Sequence, residues 1–279
     1  MKNIFSKTLL TVAVTAALGM ASSAASAQAT VFPDFTVNEG AVLGALPRTL
    51  QADKVTGNYV EVATFTNDTL TTGSFTASLK WNAGQFVGTD GTIPVGSQLG
   101  EVTANQYGLY ALYQANGTFK VNGGQTTFTF APGGSFSLFI DPTSNTTFGQ
   151  PTTGTAAWTR GNAGDDILIA TGMPTSGEGL LNPSLSTCAG GGGSGINCGS
   201  FGTSASFNLN TAGTQYFTAP NPFYNVSFQS GQLNNFSPTG TQVINGSLDV
   251  IFAVPEPTSV ALIGLGLLGL ALSRGRKKA

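Results

Sequence analysis

The residues of this chain that could do chemistry are mainly carboxylates. The 279-residue sequence contains 13 Asp and Glu and 11 Lys and Arg, but no His. Histidine is the usual general base, and without it Ser-His-Asp and Cys-His mechanisms are excluded. Carboxylate chemistry remains, and it needs two side chains held about 5 Å, or about 6.5 to 9.5 Å, apart. Because the carboxylates are scattered along the sequence, a carboxylate glycosidase is a remote alternative, and we expect a protein that is not an enzyme.

The densest acidic pair is Asp165 and Asp166, in the segment Gly-Asn-Ala-Gly-Asp-Asp-Ile-Leu at 161–168. This segment resembles the calcium-binding nonapeptide of β-rolls, in which glycine turns expose carbonyl groups and Asp supplies the hard oxygen ligands that calcium prefers. It departs from that pattern at Asn162 and occurs once, whereas a β-roll site needs neighbouring copies. Two interpretations stay open, a calcium site at Asp165 and Asp166 or a turn with two solvated aspartates. Apart from calcium we expect no cofactor.

Aromatic and amide side chains occur together at Trp81, Asn82 and Gln85. If these side chains are exposed, the ring can stack on a sugar face and the amides can bind sugar hydroxyls. If they are buried, they form part of the core and a turn. The first interpretation predicts a carbohydrate-binding module in which a calcium ion could assist glycan binding. The second predicts no ligand.

The two cysteines, Cys188 and Cys198, flank a glycine-rich loop. Close cysteines in an exported chain favour a disulfide, which would stabilise the fold by about 2 to 3 kcal/mol. A four-coordinate zinc site is the alternative, but without His or a second cysteine pair it lacks ligands.

The elements that must position these residues are predicted to be β-strands. Polar and apolar residues alternate with period two in segments rich in Phe, Val, Thr and Tyr, which is typical of half-buried antiparallel strands. Turn signals separate the segments, and about ten short strands at this spacing favour an antiparallel β-sandwich or Greek-key-like domain. The turn signals are Asn67-Asp68, Asn116-Gly117, Asn122-Gly123-Gly124, Pro132-Gly133-Gly134 and Asn245-Gly246.

The N-terminal residues 1–29 have the pattern of a secretory signal peptide. Lys2 and Lys7 precede an apolar run, and small residues follow with cleavage sites after Ala27 or Ala29. We therefore expect export through the Sec machinery, removal by signal peptidase, and an extracytoplasmic β domain at 30–253. Between the targeting segments lie five Lys and Arg against 12 Asp and Glu, a net charge of −7. Such an acidic domain is not expected to bind nucleic acid.

The C-terminal residues 254–279 differ from the rest of the chain. Pro255, Glu256 and Pro257 come first, and neither a helix nor a central strand can run through two such prolines. The uncharged apolar segment 260–272 follows; its 13 residues would cover roughly 20 Å as a helix, against a hydrocarbon core of about 30 Å. The segment is thus short for a permanent membrane span.

A basic end completes the tail at 274–278. Its cations, which by the positive-inside rule would stay on the cytoplasmic side, are Arg274, Arg276, Lys277 and Lys278. The order of Pro-Glu-Pro, short apolar helix and basic end is similar to the PEP-CTERM sorting signal of Gram-negative envelope proteins. The resemblance implies a transient inner-membrane-tethered form, processing by an exosortase, and delivery to the cell surface or the extracellular matrix.

A second resemblance covers most of the domain. Five short sequence segments look like those of the flocculation-associated group of PEP-CTERM proteins. This resemblance implies a non-enzymatic protein that acts with exopolysaccharide in flocculation or biofilm formation. The group brings no catalytic residues with it. The segments are Asp34-Phe-Thr-Val37, Ala52-Asp-Lys54, Gly57-Asn-Tyr59, Trp81 to Phe86 and Tyr107 to Tyr113.

Overall fold

Strands dominate the part of the chain that the structure describes. The structure is a computed structural model, and it describes residues 32–100, 106–188, 195 and 197–253. Within these residues there are one 3-10 turn, Glu39–Ala41, and one short α-helix, α1, Thr211–Tyr216. The all-β prediction is thus confirmed. The strands are β1 (Phe35–Asn38), β2 (Thr49–Ala52), β3 (Lys54–Asn67), β4 (Thr72–Gly88), β5 (Ile93–Val95), β6 (Gly108–Asn122), β7 (Gln125–Phe130), β8 (Ser135–Asp141), β9 (Thr147–Gly149), β10 (Thr159–Gly161), β11 (Ile167–Gly172), β12 (Pro174–Leu181), β13 (Gly199–Ala205), β14 (Asn208–Leu209), β15 (Phe217–Ala219), β16 (Asn225–Ser230) and β17 (Gly240–Ala253).

The main sheet closes on itself. Its hydrogen-bonded order β6-β7-β12-β13-β16-β17-β3-β4 returns to β6 through the β4–β6 pairing, which gives a closed, barrel-like ring of eight strands. Every pairing in the ring is antiparallel. The prediction of an antiparallel β-sandwich or Greek-key-like domain is thus correct in its antiparallel, hairpin-rich strands, and the structure specifies a closed ring of eight strands.

Strand β6 shows why the sheet closes and also branches. It has 15 residues, which is longer than most strands, and it has two successive partners on one edge. Residues 117–122 pair with β7, whereas 108–114 pair with β8. Between β7 and β8 the backbone passes through Gly133 and Gly134, whose φ angles of 107° and 100° are easily adopted only by glycine. From β8 a branch continues through β11 to β14.

Two predicted turns lie inside strands instead. Asn116-Gly117 is within β6 and Asn245-Gly246 is within β17. A Cβ atom on Gly117 would lie 2.7 Å from the Phe75 ring, and one on Gly246 would lie 3.1 Å from the Tyr59 ring. These glycines thus make room for an aromatic side chain of the neighbouring strand. The Asn122-Gly123-Gly124 signal is correct, because Gly123 and Gly124 form the two-residue β6–β7 turn with positive φ.

The core consists largely of aromatic rings. Inside the ring of strands, Phe75 packs edge-on against Phe128 with centroids 6.0 Å apart. A second group lies where the small sheet β15-β1-β2 packs, and there Phe35 and Phe252 have centroids 4.9 Å apart. Buried residues of both groups belong to one continuous cluster, so the alternate Phe positions act as core.

The targeting segments lie outside the described residues. This applies to the predicted signal peptide at 1–29, to the sorting tail at 254–279 and to its apolar segment 260–272. Among the helices of the described ranges, none combines the length and the apolar character that crossing a membrane requires.

Candidate functional site

Three aspartates meet at the point where β8 ends and β11 begins. Asp141 is the last residue of β8, and Asp165 and Asp166 directly precede β11. The two strands are antiparallel neighbours with Ile140 opposite Ile167, so these ends are adjacent. One carboxylate oxygen from each aspartate lies within 4.8 Å of the others. The sequence singled out Asp165 and Asp166 but missed Asp141, which is 24 residues away from Asp165 along the chain.

The loop after β8 ties the three aspartates together. The Asp141 carboxylate accepts hydrogen bonds from the backbone N–H groups of Thr143 (3.2 Å) and Thr146 (2.9 Å). The hydroxyl of Thr143 donates to Asp165 (2.7 Å), and that of Thr146 donates to Asp166 (2.7 Å). This short turn at a strand end, Asp-Pro-Thr-Ser-Asn, was the sequence signal that could have pointed to Asp141.

Asp166 has the most complete set of partners. Its side chain is 1% exposed and forms an ion pair with Arg160, Nη1 to Oδ2, at 3.3 Å. The Tyr110 hydroxyl donates to the same oxygen, and Arg160 also donates to the Tyr110 hydroxyl at 2.8 Å. Burial raises the pKa of Tyr110, and the hydrogen bond to Asp166 raises it further. The tyrosine therefore stays a neutral donor over the whole physiological pH range.

The chemistry of this aspartate cluster allows two roles. Carboxylate and hydroxyl oxygens are the hard ligands that calcium binds, and water completes its six to eight ligands in many sites. Asp141, Asp165 and Asp166 are the residues that would hold such an ion. The hydrogen bonds from Thr143, Thr146 and Tyr110 also satisfy the carboxylates without an ion, so the cluster fastens the β8 and β11 ends in either case.

The predicted glycan residues are separated by the sheet. Trp81 is 1% exposed, and its indole N–H donates to the Leu248 carbonyl at 3.0 Å in the interior. Asn82 is half-buried and Gln85 is exposed. Asn82 follows Trp81 in the strand and therefore points to the opposite face. A register shift between Ala83 and Gln85 interrupts the alternation, and Gln85 is exposed whereas Trp81 is buried, so the ring and the amides do not form one surface. The prediction that Trp81 contacts a glycan is therefore corrected, and its alternative, burial in the core, holds.

A different amide-rich groove is present on the domain. It has a volume of about 470 Å³ and lies between β3, β17 and the segment that precedes β17. The Asn234 amide donates to the Asn245 side chain at 3.1 Å across it. The described lining contains no charged side chain. Its polar side chains are Asn58, Tyr59, Gln232, Asn234, Asn245 and Ser247.

Sequence reasoning missed this groove because Asn245 was assigned to a turn. The groove offers neutral donors and acceptors of the kind that bind sugar hydroxyls. It contains no pair of carboxylates, so the described lining does not present the arrangement that glycosidic hydrolysis needs.

Cys188 and Cys198 are joined by a disulfide in the structure. The described residues next to the bridge bond to the connection between β16 and β17. The Cys198 N–H donates to the Leu233 carbonyl (2.9 Å), and the Asn235 N–H donates to the Gly195 carbonyl (2.8 Å). The disulfide therefore supports the connection between β16 and β17.

Comparison with known proteins identifies a known motif in one segment of the chain. A family model described as the PEP-CTERM protein-sorting motif matches residues 253–277. Neither a curated protein nor a solved structure matches the chain. The matched range contains Pro255, Glu256 and Pro257 and the cations Arg274, Arg276 and Lys277, whereas Lys278 lies just beyond it. The resemblance of the tail to the sorting signal is thus confirmed, and the motif indicates an exported protein that an exosortase sorts.

Proposed function

We propose that this protein is a non-enzymatic component of the cell surface or extracellular matrix that acts with exopolysaccharide in flocculation or biofilm formation. The sorting motif at 253–277 is the observation that carries the proposal, because it indicates export and exosortase sorting. Passage through the Sec machinery, signal peptidase cleavage and a transient inner-membrane form held by segment 260–272 complete the proposed route. Nucleic acid is not among the proposed partners.

The surface of the domain supports a polysaccharide partner. Only 9% of the chain is Asp, Glu, Lys or Arg, and the groove of about 470 Å³ is lined by amides and a serine hydroxyl. Neutral hydrogen-bonding groups bind sugar hydroxyls without requiring a charged polymer. The amide of Gln85 is exposed as well, whereas Trp81 is buried.

Export and processing are tested by mass spectrometry of the protein recovered from the medium and the cell surface. We expect a C-terminus near Pro255 to Pro257, and a variant with both prolines changed to alanine should keep Ala279 and stay with the inner membrane. Flocculation is tested in the same strains by sedimentation. Deletion of the gene or retention of the tail should reduce settling, and normal flocs in both strains would contradict the proposal.

Polysaccharide binding is tested at the groove. In a pull-down with isolated exopolysaccharide, the double variant Asn58→Ala, Asn245→Ala should bind at least tenfold more weakly than the wild type. Gln125→Ala, an exposed amide at the β6–β7 hairpin, serves as the control and should bind normally. Equal loss in both variants would show that the groove is not the contact.

A calcium-assisted carbohydrate-binding module is the second candidate. The meeting of Asp141 with Asp165 and Asp166, whose oxygens lie within 4.8 Å, favours it. Extracellular calcium sites have dissociation constants of about 10⁻⁴ to 10⁻³ M, so 10 mM calcium should raise the melting temperature of the wild type and leave Asp165→Asn unchanged. Saturable binding to a defined glycan should then be lost in chelator while the domain stays folded. A melting temperature that calcium does not move would remove this candidate.

A further inference from the structure

The interior of the closed sheet contains a cavity that the proposed function does not use. It has a volume of about 30 Å³, and the Glu61 carboxyl group is its only ionisable lining group among the described residues. A smaller adjoining cavity of about 10 Å³ shares Glu61 and adds Tyr113. The walls of the larger cavity are mainly phenylalanine rings. These rings belong to Phe65, Phe75, Phe128, Phe130, Phe201 and Phe236.

Glu61 reaches this interior because of its position in β3. Tyr59, Ala63 and Phe65 share its parity along the strand and are buried. In register, Glu61 lies opposite Leu79 of β4 and Ile244 of β17. It is 7% exposed, and none of the described residues donates a hydrogen bond to its carboxyl group or pairs with it as a cation. Burial raises the pKa of Glu61 to about 7.

A second polar group in the interior is poorly satisfied. The Tyr113 hydroxyl is buried and forms no hydrogen bond of good geometry, although the Thr203 side chain lies close enough to interact with it. Burial raises the pKa of Tyr113 to about 12, the Thr203 side chain opposes this shift, and the Glu61 charge adds to it. Buried polar groups in proteins are almost always satisfied. The Tyr113 hydroxyl and the Glu61 carboxyl group, which no described residue pairs with, therefore mark a place beside an apolar cavity where a small ligand would supply a partner.

One partly exposed ring of the cavity wall lies outside the strands. Phe236, in the segment between β16 and β17, is partly exposed and stacks on Phe65 and Phe128 with centroids 5.6 and 5.9 Å away. Leu233 of the same segment is buried and lines the cavity. Because Phe236 lies between β16 and β17, its ring can move without breaking a strand pairing.

We propose that the interior of the closed sheet binds a small organic ammonium ion, held by the Glu61 carboxylate and the surrounding phenylalanine faces. The faces of aromatic rings attract organic cations, and desolvation strengthens that attraction. A calcium or magnesium ion would need several more oxygen ligands, and the carboxylate repels anions. A cavity of about 30 Å³ has room for about two waters, at roughly 10 to 15 Å³ each, which is the size of methylammonium.

The charge of Glu61 should control this binding. The titratable groups acting on it are the Tyr59 and Tyr113 hydroxyls, and burial keeps the pKa of both well above neutrality. Deprotonation of Glu61 is therefore the only change in charge expected at this site between pH 5 and 8. An ammonium ion should bind at pH 8, where Glu61 is charged, and at least tenfold more weakly at pH 5.

Isothermal titration calorimetry of the purified full-length protein tests the proposal, with methylammonium chloride as the cation and methanol as a neutral compound of similar size. We expect methylammonium to bind at pH 8, its affinity at pH 5 to fall at least tenfold, and methanol to bind at least tenfold more weakly than methylammonium. Glu61→Gln should abolish methylammonium binding, while Glu178→Gln, an exposed acid on β12, should leave it unchanged. No methylammonium binding at pH 8, equal binding of methanol, or unchanged binding in Glu61→Gln would overturn the proposal. The comparison of pH 8 with pH 5 needs no variant. It therefore tests whether the charge of Glu61 controls cation binding even if Glu61→Gln fails to fold.

Discussion

Two glutamates are buried in this domain in opposite surroundings. Glu39, in the 3-10 turn after β1, is 0% exposed. Its carboxylate accepts hydrogen bonds from the Gln98 backbone N–H (2.7 Å), the Gln98 side-chain amide (3.1 Å) and the Tyr107 hydroxyl (3.1 Å). Glu61, inside the closed sheet, receives none from the described residues. The two side chains are chemically the same and differ in the donors around them.

Glu39 connects parts of the fold through its hydrogen bonds, whereas Glu61 has no partner among the described residues. At Glu39, donors from Gln98 and Tyr107 satisfy the carboxylate, and Tyr107 is in turn bonded to Tyr216 of α1 at 2.7 Å. The carboxylate therefore connects the turn after β1, the segment before β6 and the helix. At Glu61, desolvation is not offset, and the neutral acid is favoured. Asp166, with both an arginine and hydroxyl donors, resembles Glu39 rather than Glu61.

The largest effect is expected at Glu39. Glu39→Ala should lower the free energy of unfolding by about 4 kcal/mol, because it removes three hydrogen bonds to a charged group and leaves buried donors unpaired. Urea unfolding measures this loss, with the exposed Glu178→Ala as control at less than about 0.5 kcal/mol. A loss at Glu39 no larger than that of the control would show that its donors do not stabilise the fold.

Glu61→Gln should change stability in the opposite direction, and only at high pH. The pKa of Glu61 rises from its ordinary value of 4.5 to about 7 on folding. The folded protein therefore binds more protons in this range, so the stability of the wild type should fall by about 3 kcal/mol as the pH rises from 4.5 through 7. The glutamine variant should lack this slope and be the more stable protein at pH 8. Urea unfolding at pH 4.5, 6 and 8 compares the two, and parallel pH profiles would contradict the burial of an unpaired acid.

Removal of the disulfide should lower the global stability, and it should loosen the native structure only on the Glu61 side of the molecule. The bridge closes a loop with a sequence separation of 10, and the double variant Cys188→Ser, Cys198→Ser should lose about 2 to 3 kcal/mol of stability. Because Cys198 and Gly195 hold the backbone of Leu233 and Asn235, the amides at 231–239 should exchange faster with deuterium. The Gln98 amide, bound to Glu39, should keep its protection. Equal acceleration at both places would indicate global rather than local loosening.

The smallest effect is expected at the ion pair of Asp166. Arg160→Met should cost about 1 to 2 kcal/mol, less than a fully buried pair, because Asp166 keeps its bonds from Tyr110 and Thr146. The Arg160 side chain is 30% exposed, so part of this cost should disappear at 1 M salt. Thermal denaturation at low and high salt measures the total loss of stability and the part of it that salt removes, with the exposed Lys120→Met as control. A salt-independent loss would assign the effect to the packing of Arg160 on the Phe139 ring instead, where the distance is 4.2 Å.

Several features of the site could have been predicted from the sequence, and others could not. The period-two pattern places Glu61 on the same strand face as Tyr59 and Phe65, so an inward-facing acid was visible in principle. Trp81 and Asn82 are adjacent in a strand, and the same pattern already implied that they point to opposite faces. Asp141 is different, because only the pairing of β8 with β11 brings it to Asp165 and Asp166.

The sequence by itself determined the β class, the hairpin at Gly123 and Gly124, and the sorting motif at 253–277. These depend on local features, namely side-chain alternation, backbone conformations that only glycine adopts easily, and a contiguous tail. The tertiary structure decided that β4 pairs with β6 and closes the sheet, that Gly117 and Gly246 make room for rings, and that Glu61 lies in an aromatic interior. Alternation fixes which face a residue occupies but not which strand becomes its neighbour. A closed interior, and the cost of a carboxyl group within it, exist only once distant strands have paired.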